Sequence, residues 1–121
     1  PQAHYDLARE LSALREKGVL IIASGNMVHN LGVIDWNNPE GGYDWAVEAN
    51  ERMKEMILSR DHDSLIRFRD QGVAFQKSIP TPEHYLPLLY SLGLSDAREP
   101  ICLFNDRTLM GSISMTSVRI G

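Results

Sequence analysis

Tyr5, Ala8, Leu11 and Leu14 recur at helical spacing with Arg9, Glu10, Arg15 and Glu16 between them, so the opening of the chain predicts an amphipathic helix over residues 3–17 that stops at Gly18. Directly behind it, Val19-Leu20-Ile21-Ile22-Ala23 is continuously apolar and rich in β-branched side chains, and Ser24-Gly25 ends it. That run predicts a strand buried on both faces. Such a strand needs partners on both edges and helices over both faces, because either face left bare would expose apolar surface to water. Helix followed by buried strand is the grammar of an α/β fold.

Residues 32–43 are crowded with Gly, Pro and Asn around Trp36 and read as a loop. Asp44 then caps a helix to about Ser59, with Trp45, Met53, Met56 and Ile57 in an imperfect apolar stripe. Asp61 or Asp63 caps a shorter helix carrying Leu65, Ile66 and Phe68, and residues 71–79 read as irregular. Thr81-Pro82-Glu83 combines a capping side chain, a proline at the first helical position and an acidic first turn. It predicts a helix buried through Leu86, Leu89, Tyr90 and Leu92 and ended by Gly93, with Pro87 distorting it locally. Pro100–Phe104 and Gly111–Ile120 predict two paired strands, the second with one polar face formed by Ser112, Ser114 and Thr116.

The 121 residues fit one domain, and 43% apolar residues suffice for one core. A net charge of -4 with scattered Lys and Arg gives no footprint for nucleic acid. No apolar run approaches the roughly 20 residues that span a bilayer, so no membrane partner is expected. Cys102 is the single cysteine, and its neighbours Ile101 and Leu103 point to a buried thiol in a reducing, cytoplasmic compartment.

Two of the four histidines stand out. His29 lies just past the end of the expected central strand, where open α/β sheets place their ligand crevices. Gly25 permits a sharp turn there, and Asn26 and Asn30 supply hydrogen-bonding groups. His84 falls in the first turn of its expected helix, where the dipole favours a neutral ring able to ligate a metal. A histidine at a helix start also serves simply to cap or pack. Too many residues separate the two for a local zinc spacing, so a shared site has to be assembled by the fold. His4 and His62, among charged or terminal neighbours, read as solvated.

Ser24-Gly25-Asn26-Met27-Val28-His29-Asn30-Leu31 and Thr81-Pro82-Glu83-His84-Tyr85-Leu86-Pro87-Leu88-Leu89, in that order, together resemble the LigB-type (class III) extradiol ring-cleavage dioxygenases, in particular the DOPA dioxygenase-like branch. The terminal Gly111–Gly121 segment is similar to the same group's C-terminus. The resemblance implies a three-layer α/β fold with a central, mostly parallel or mixed sheet flanked by helices. It implies opening of a catecholic ring by O2 at a non-haem metal, beside rather than between the two hydroxyls. Fe(II) is the metal expected for activity, with Zn(II) an alternative occupant of purified protein. By motif, His84 matches a metal ligand and His29 the active-site acid and base, which in some assignments also touches the metal. Asn26, Asn30 and Tyr85 match substrate contacts or supports of the ligands, though each also fits simple packing.

The family is about twice as long as this chain, and its other metal-binding histidines lie in an N-terminal half without counterpart here. The resemblance therefore implies the C-terminal portion of a catalytic domain whose other half comes from the same precursor or a companion chain. A different class of function, a noncatalytic binding or scaffold domain that keeps the fold, is the alternative expectation.

Overall fold

The computed structural model describes residues 1–121. Its helices are α1 (Gln2–Glu10), α2 (Ala13–Glu16), α3 (Asp44–Leu58), α4 (His62–Ile66), α5 (Val73–Ser78) and α6 (Leu86–Gly93). Four short strands follow: β1 (Ile101–Phe104), β2 (Thr108–Leu109), β3 (Ile113–Ser114) and β4 (Ser117–Ile120). β1 pairs with β4 and β2 with β3, both antiparallel. The chain is thus a mixed α and β structure, helices packed around one core with two small ribbons at the C-terminal end.

The core follows the helical repeat. Ala46, Ala49, Met53 and Ile57 line one face of α3 and pack with Leu65, Phe68 and Phe75, while Tyr85, Leu89 and Leu92 enter from the α6 side. Asn50 on the same face of α3 is buried but satisfied: it accepts from the Thr116 hydroxyl at 2.8 Å and donates to Asp106 at 3.2 Å. A buried amide of this kind fixes one register between α3 and the terminal ribbon. Helix α1 crosses α6 closely at Gly93, where a Cβ would sit 2.6 Å from the Tyr5 carbonyl oxygen.

Several expectations are corrected. The first helix is broken at Leu11–Ser12 into α1 and the single turn α2. Tyr43 is the capping position of α3 and Asp44 its first residue, whereas Asp61 caps α4 as expected, accepting from the Ser64 amide at 3.1 Å. The stretch read as irregular contains α5. Residues Thr81–Tyr85 form turns rather than helix, so α6 starts at Leu86 and Pro87 occupies the second helical position, where no hydrogen bond is lost. Cys102 is exposed, because strand alternation turns Ile101 and Leu103 inward, opposite Ile120 and Val118.

The largest correction is at Val19–Ala23. The segment is in no strand, and residues 20–25 neither donate nor accept a backbone hydrogen bond. Leu20 and Ile22 are each 82% exposed. The apolar pattern specifies burial against a neighbour, but the strands of this chain pair only with one another, β1 with β4 and β2 with β3. No helix is long and apolar enough to cross a membrane.

Candidate functional site

Past the unpaired run the chain is suddenly held. Met27 and Val28 are buried, the Val28 carbonyl accepts from the Ser114 amide at 3.0 Å, and the Asn30 amide donates to the Ser112 carbonyl at 3.1 Å. The His29 amide donates in the other direction, to the Ser78 carbonyl at the end of α5, at 2.9 Å. Residues 28–30 are therefore gripped between α5 and β3, with His29 bridging to Ile113. On the other side, the Asn26 amide donates to the His84 carbonyl at 2.8 Å, and the Asn26 side chain donates to the Ser114 carbonyl at 2.8 Å.

Gly25 makes this approach possible. A Cβ there would stand 2.1 Å from the His84 carbonyl oxygen and 3.1 Å from the Pro87 ring. The outcome is that His29 and His84, far apart in sequence, stack face to face with ring centroids 3.7 Å apart and planes 15° from parallel. The fold does assemble them into one place. His29 is half-buried and His84 exposed, so the pair has a covered and an open member.

Burial pushes the His29 imidazole below the ordinary histidine range, and charge on His84 pushes it the same way. The His29 backbone and the Glu83 carboxylate oppose both effects without cancelling them. A neutral His29 ring has a lone pair to accept a proton. A neutral imidazole could equally hold a metal through a ring nitrogen. No group of three His, Cys, Asp or Glu able to hold a metal forms within this chain.

The remaining candidates divide. Asn26 ties the His84 backbone to β3 through its amide and its side chain. Asn30 has its amide committed to the Lys77 carbonyl at 2.7 Å and its carbonyl oxygen to the Gly32 amide at 3.2 Å, so it shapes the turn after His29. Tyr85 is buried against Phe68 and donates to the Leu65 carbonyl at 2.9 Å, and burial pushes its phenol far up. It faces the core rather than the histidine pair.

His4 and His62 lie elsewhere and are not simply solvated. His4 Nδ1 meets the Tyr90 hydroxyl at 3.1 Å, and His62 Nδ1 meets the Tyr5 hydroxyl at 2.7 Å. Ser78, Ser112 and Ser114, all fully buried around His29, carry no motif of their own. The visible signal was the polar alternation of Ser112 and Ser114, which turn inward: the Ser112 hydroxyl donates to the Asn30 carbonyl at 2.8 Å, and the backbone of both residues holds residues 26–30.

A cleft of roughly 1430 Å³ runs from Val19–Ala23 past Gly25, Asn26 and His84 to β4. His84, the open member of the histidine pair, thus borders a large space with a mixed lining, apolar along Val19–Ala23 and charged at Arg9, Arg15, Glu99 and Arg119.

No protein-family model matches the chain. It is 43% identical over 122 residues to a protein of Escherichia coli K12 named 4,5-DOPA dioxygenase extradiol, covering 98% of this chain and 44% of that protein. A protein of the same name from Mirabilis jalapa is 33% identical over 90 residues, 74% of this chain and 33% of the relative. Among solved structures, an uncharacterized protein of E. coli K12 superposes with a TM-score of 0.89 at 42% identity, covering 98% of this chain and 49% of that one. The chain therefore spans less than half the length of these relatives.

Proposed function

We propose that this chain, homologous along nearly all its length to a segment of proteins named extradiol DOPA dioxygenases, carries part of the active site of an aromatic ring-opening dioxygenase. The observation that carries the reading is the His29–His84 stack, built by backbone contacts that leave one ring open and one half-buried. In this reading His84 is a metal ligand, and the remaining ligands come from the polypeptide that the relatives possess beyond the matched segment. Fe(II) would serve activity and Zn(II) would be an alternative occupant. The metal's contribution is to bring a catecholate and O2 together and to supply the electron chemistry their reaction requires.

The chain's own residues do the rest. His29, neutral near pH 7, accepts a catechol hydroxyl proton at an imidazole nitrogen and returns it during ring opening. Asn26 and Gly25 hold the His84 backbone against the His29 strand, which keeps the proton carrier beside the ligand. The central sheet of a three-layer fold belongs to the completed protein, in which the Val19–Ala23 run acquires partners.

A chimaera in which these 121 residues replace the matching segment of the E. coli relative tests the reading. Loaded anaerobically with Fe(II) and then given DOPA and O2, it is expected to form a yellow ring-opened product. His84→Ala should remove bound metal. His29→Ala should keep metal and lower turnover by roughly 10²–10⁴-fold. Equal metal loss in both variants would make His29 a ligand, and no product from a metal-loaded chimaera would favour a binding domain.

A further inference from the structure

The two terminal ribbons form one hairpin with a step in it. β1 and β4 pair Leu103 with Val118 and Phe104 with Ser117, whereas β2 and β3 pair Thr108 with Ser114 and Leu109 with Ile113. Continuing the second register outward puts Arg107 opposite Met115 and Asp106 opposite Thr116, and the Met115 amide does donate to the Arg107 carbonyl at 2.8 Å. Asn105 is then one residue too many between Phe104 and Asp106. It forms a bulge, with Asn105 at φ 51° and the Arg107 amide folded back onto the Asn105 carbonyl at 2.8 Å. The step decides which side chains of β3 turn inward, because a slip of one residue exchanges the two faces of a strand.

Little in the hairpin backbone holds that register. The β2–β3 ladder is two pairs long, and its turn places Met110 at φ 48°, a left-handed conformation that glycine adopts freely and methionine does not. Side chains hold the first pair past the bulge instead. The Thr116 hydroxyl lies 2.8 Å from Asn50 Oδ1 and 3.1 Å from Asp106 Oδ1, and Asn50 Nδ2 donates to the same Asp106 oxygen at 3.2 Å. A triangle is thereby closed between α3, the bulge and the β3–β4 connection. Neither acceptor oxygen can donate, so Thr116 must, and turning the Asn50 amide over would set its oxygen against the carboxylate. Lys54 pairs with Asp106 Oδ2 and holds the carboxyl below its ordinary range. Asn50 and Thr116 are buried, so a slipped hairpin would leave buried polar atoms unpaired.

We propose that Asp106 and Thr116 are positioning residues for the histidine pair: with Asn50 they lock the bulged register of the hairpin, and the lock acts on His29 through β3. Ser114, two residues before Thr116, accepts from the Asn26 side chain on its carbonyl and donates its amide to the Val28 carbonyl. Ser112 holds Asn30 at both its amide and its carbonyl. His84 has a separate anchor, since the turn that carries it is fastened by the Tyr85 hydroxyl to the Leu65 carbonyl. Releasing the lock therefore moves His29 against a fixed His84. The effect on turnover rests on the functional reading above, but the effect on the rings does not.

Thr116→Val keeps the shape of the side chain and removes the donor. In this chain it should accelerate amide exchange at Asn30, Ser114 and Met115 by roughly 10-fold or more relative to α3 and α6, and abolish nuclear Overhauser contacts between the His29 and His84 rings. Thr116→Ser, which keeps the hydroxyl, should leave both as they are in the parent chain. Asp106→Asn keeps an acceptor and loses the pairing with Lys54. It is the milder variant, expected to accelerate the same amides by roughly 3-fold, and it reads them should Thr116→Val fail to fold. Unchanged exchange at these amides in Thr116→Val, or in Asp106→Asn if the former does not fold, would overturn the inference. So would an acceleration that includes α3 and α6 equally, or a Thr116→Ser variant that behaves like Thr116→Val. In the Fe(II)-loaded chimaera, Thr116→Val should lower kcat by roughly 10-fold with bound metal and KM unchanged. Separated rings with undiminished turnover remove only the catalytic reading of the pair, and lowered turnover with the rings still in contact removes only the positioning role.

Discussion

Residues 19–24 and 25–30 are neighbours in sequence and opposites in structure. The first stretch is largely apolar and free of strand partners, and Leu20 and Ile22 face solvent. The second is more polar, yet its backbone is tied to Ser78, His84, Ser112 and Ser114, and it buries Met27 and Val28 completely or nearly so. Hydrophobicity does not decide which stretch is ordered here. The presence of a partner within the same chain does, and the boundary between the two regimes falls at the glycine that lets the His84 carbonyl come close.

The sharpest way to break the contrast is at that boundary. Gly25→Ala places a methyl group 2.1 Å from the His84 oxygen, with backbone rather than a flexible side chain as the obstacle. The expected loss is about 3 kcal/mol of stability, with separation of the His29 and His84 rings. Urea unfolding gives the first quantity and ring-to-ring nuclear Overhauser contacts the second. A loss below about 1 kcal/mol with the rings still in contact would mean that the close approach does not organise the site.

Next in size is a matched pair of truncations. Met27 is 3% exposed and Ile22 82%. Met27→Ala should cost about 2 kcal/mol, whereas Ile22→Ala should stay within about 0.5 kcal/mol in this chain alone. Similar costs at both positions would show that residues 19–24 are packed in solution. In the chimaera with the E. coli relative, the same Ile22→Ala substitution should become destabilising, since its side chain then has neighbours to lose.

These contrasts explain what was legible in the sequence. Local signals carried through where their partners are local: the Asp61 cap, the long amphipathic α3, and the β1 and β4 runs. Val19–Ala23 was legible as a segment that wants burial, but its partner is not among these residues, so the strand did not follow. Cys102 was misjudged from apolar neighbours, when alternation along β1 sends adjacent side chains to opposite faces. The two histidines could be singled out by position and motif. Their stacking could not, because it depends on a glycine contact and on buried serine positions that carry no chemical signature. Tyr85, read beside His84 as a pocket residue, sits one position along a turn that directs it into the core.

The smallest expected effect concerns what fastens the chain on the far side of the unpaired run. Helix α1 is joined to the body through Tyr5 and His62, and through His4 and Tyr90. Burial holds the His62 imidazole below its ordinary 6.5, the charge of Arg60 adds to this, and Asp61 and Asp63 oppose it. Its Nε2 is buried without a partner, so either neutral tautomer leaves that atom unsatisfied and a second proton there gains nothing. Above the ordinary value both folded and unfolded states are neutral at this position, and the stabilisation is complete. As pH falls below it the unfolded chain takes up the proton first, so stability is lost progressively down through the folded value. His29 is displaced in the same direction, so global melting reports both rings, and a regional probe is needed. Corrected for intrinsic rates, amide exchange in α1 should accelerate between pH 7.5 and 5.5, and His62→Gln should flatten that dependence while leaving residues 28–30 as they were. If His62→Gln instead altered the 28–30 amides as much as those of α1, the two sides of the unpaired run would be one cooperative unit, and the contrast between them would not extend to stability.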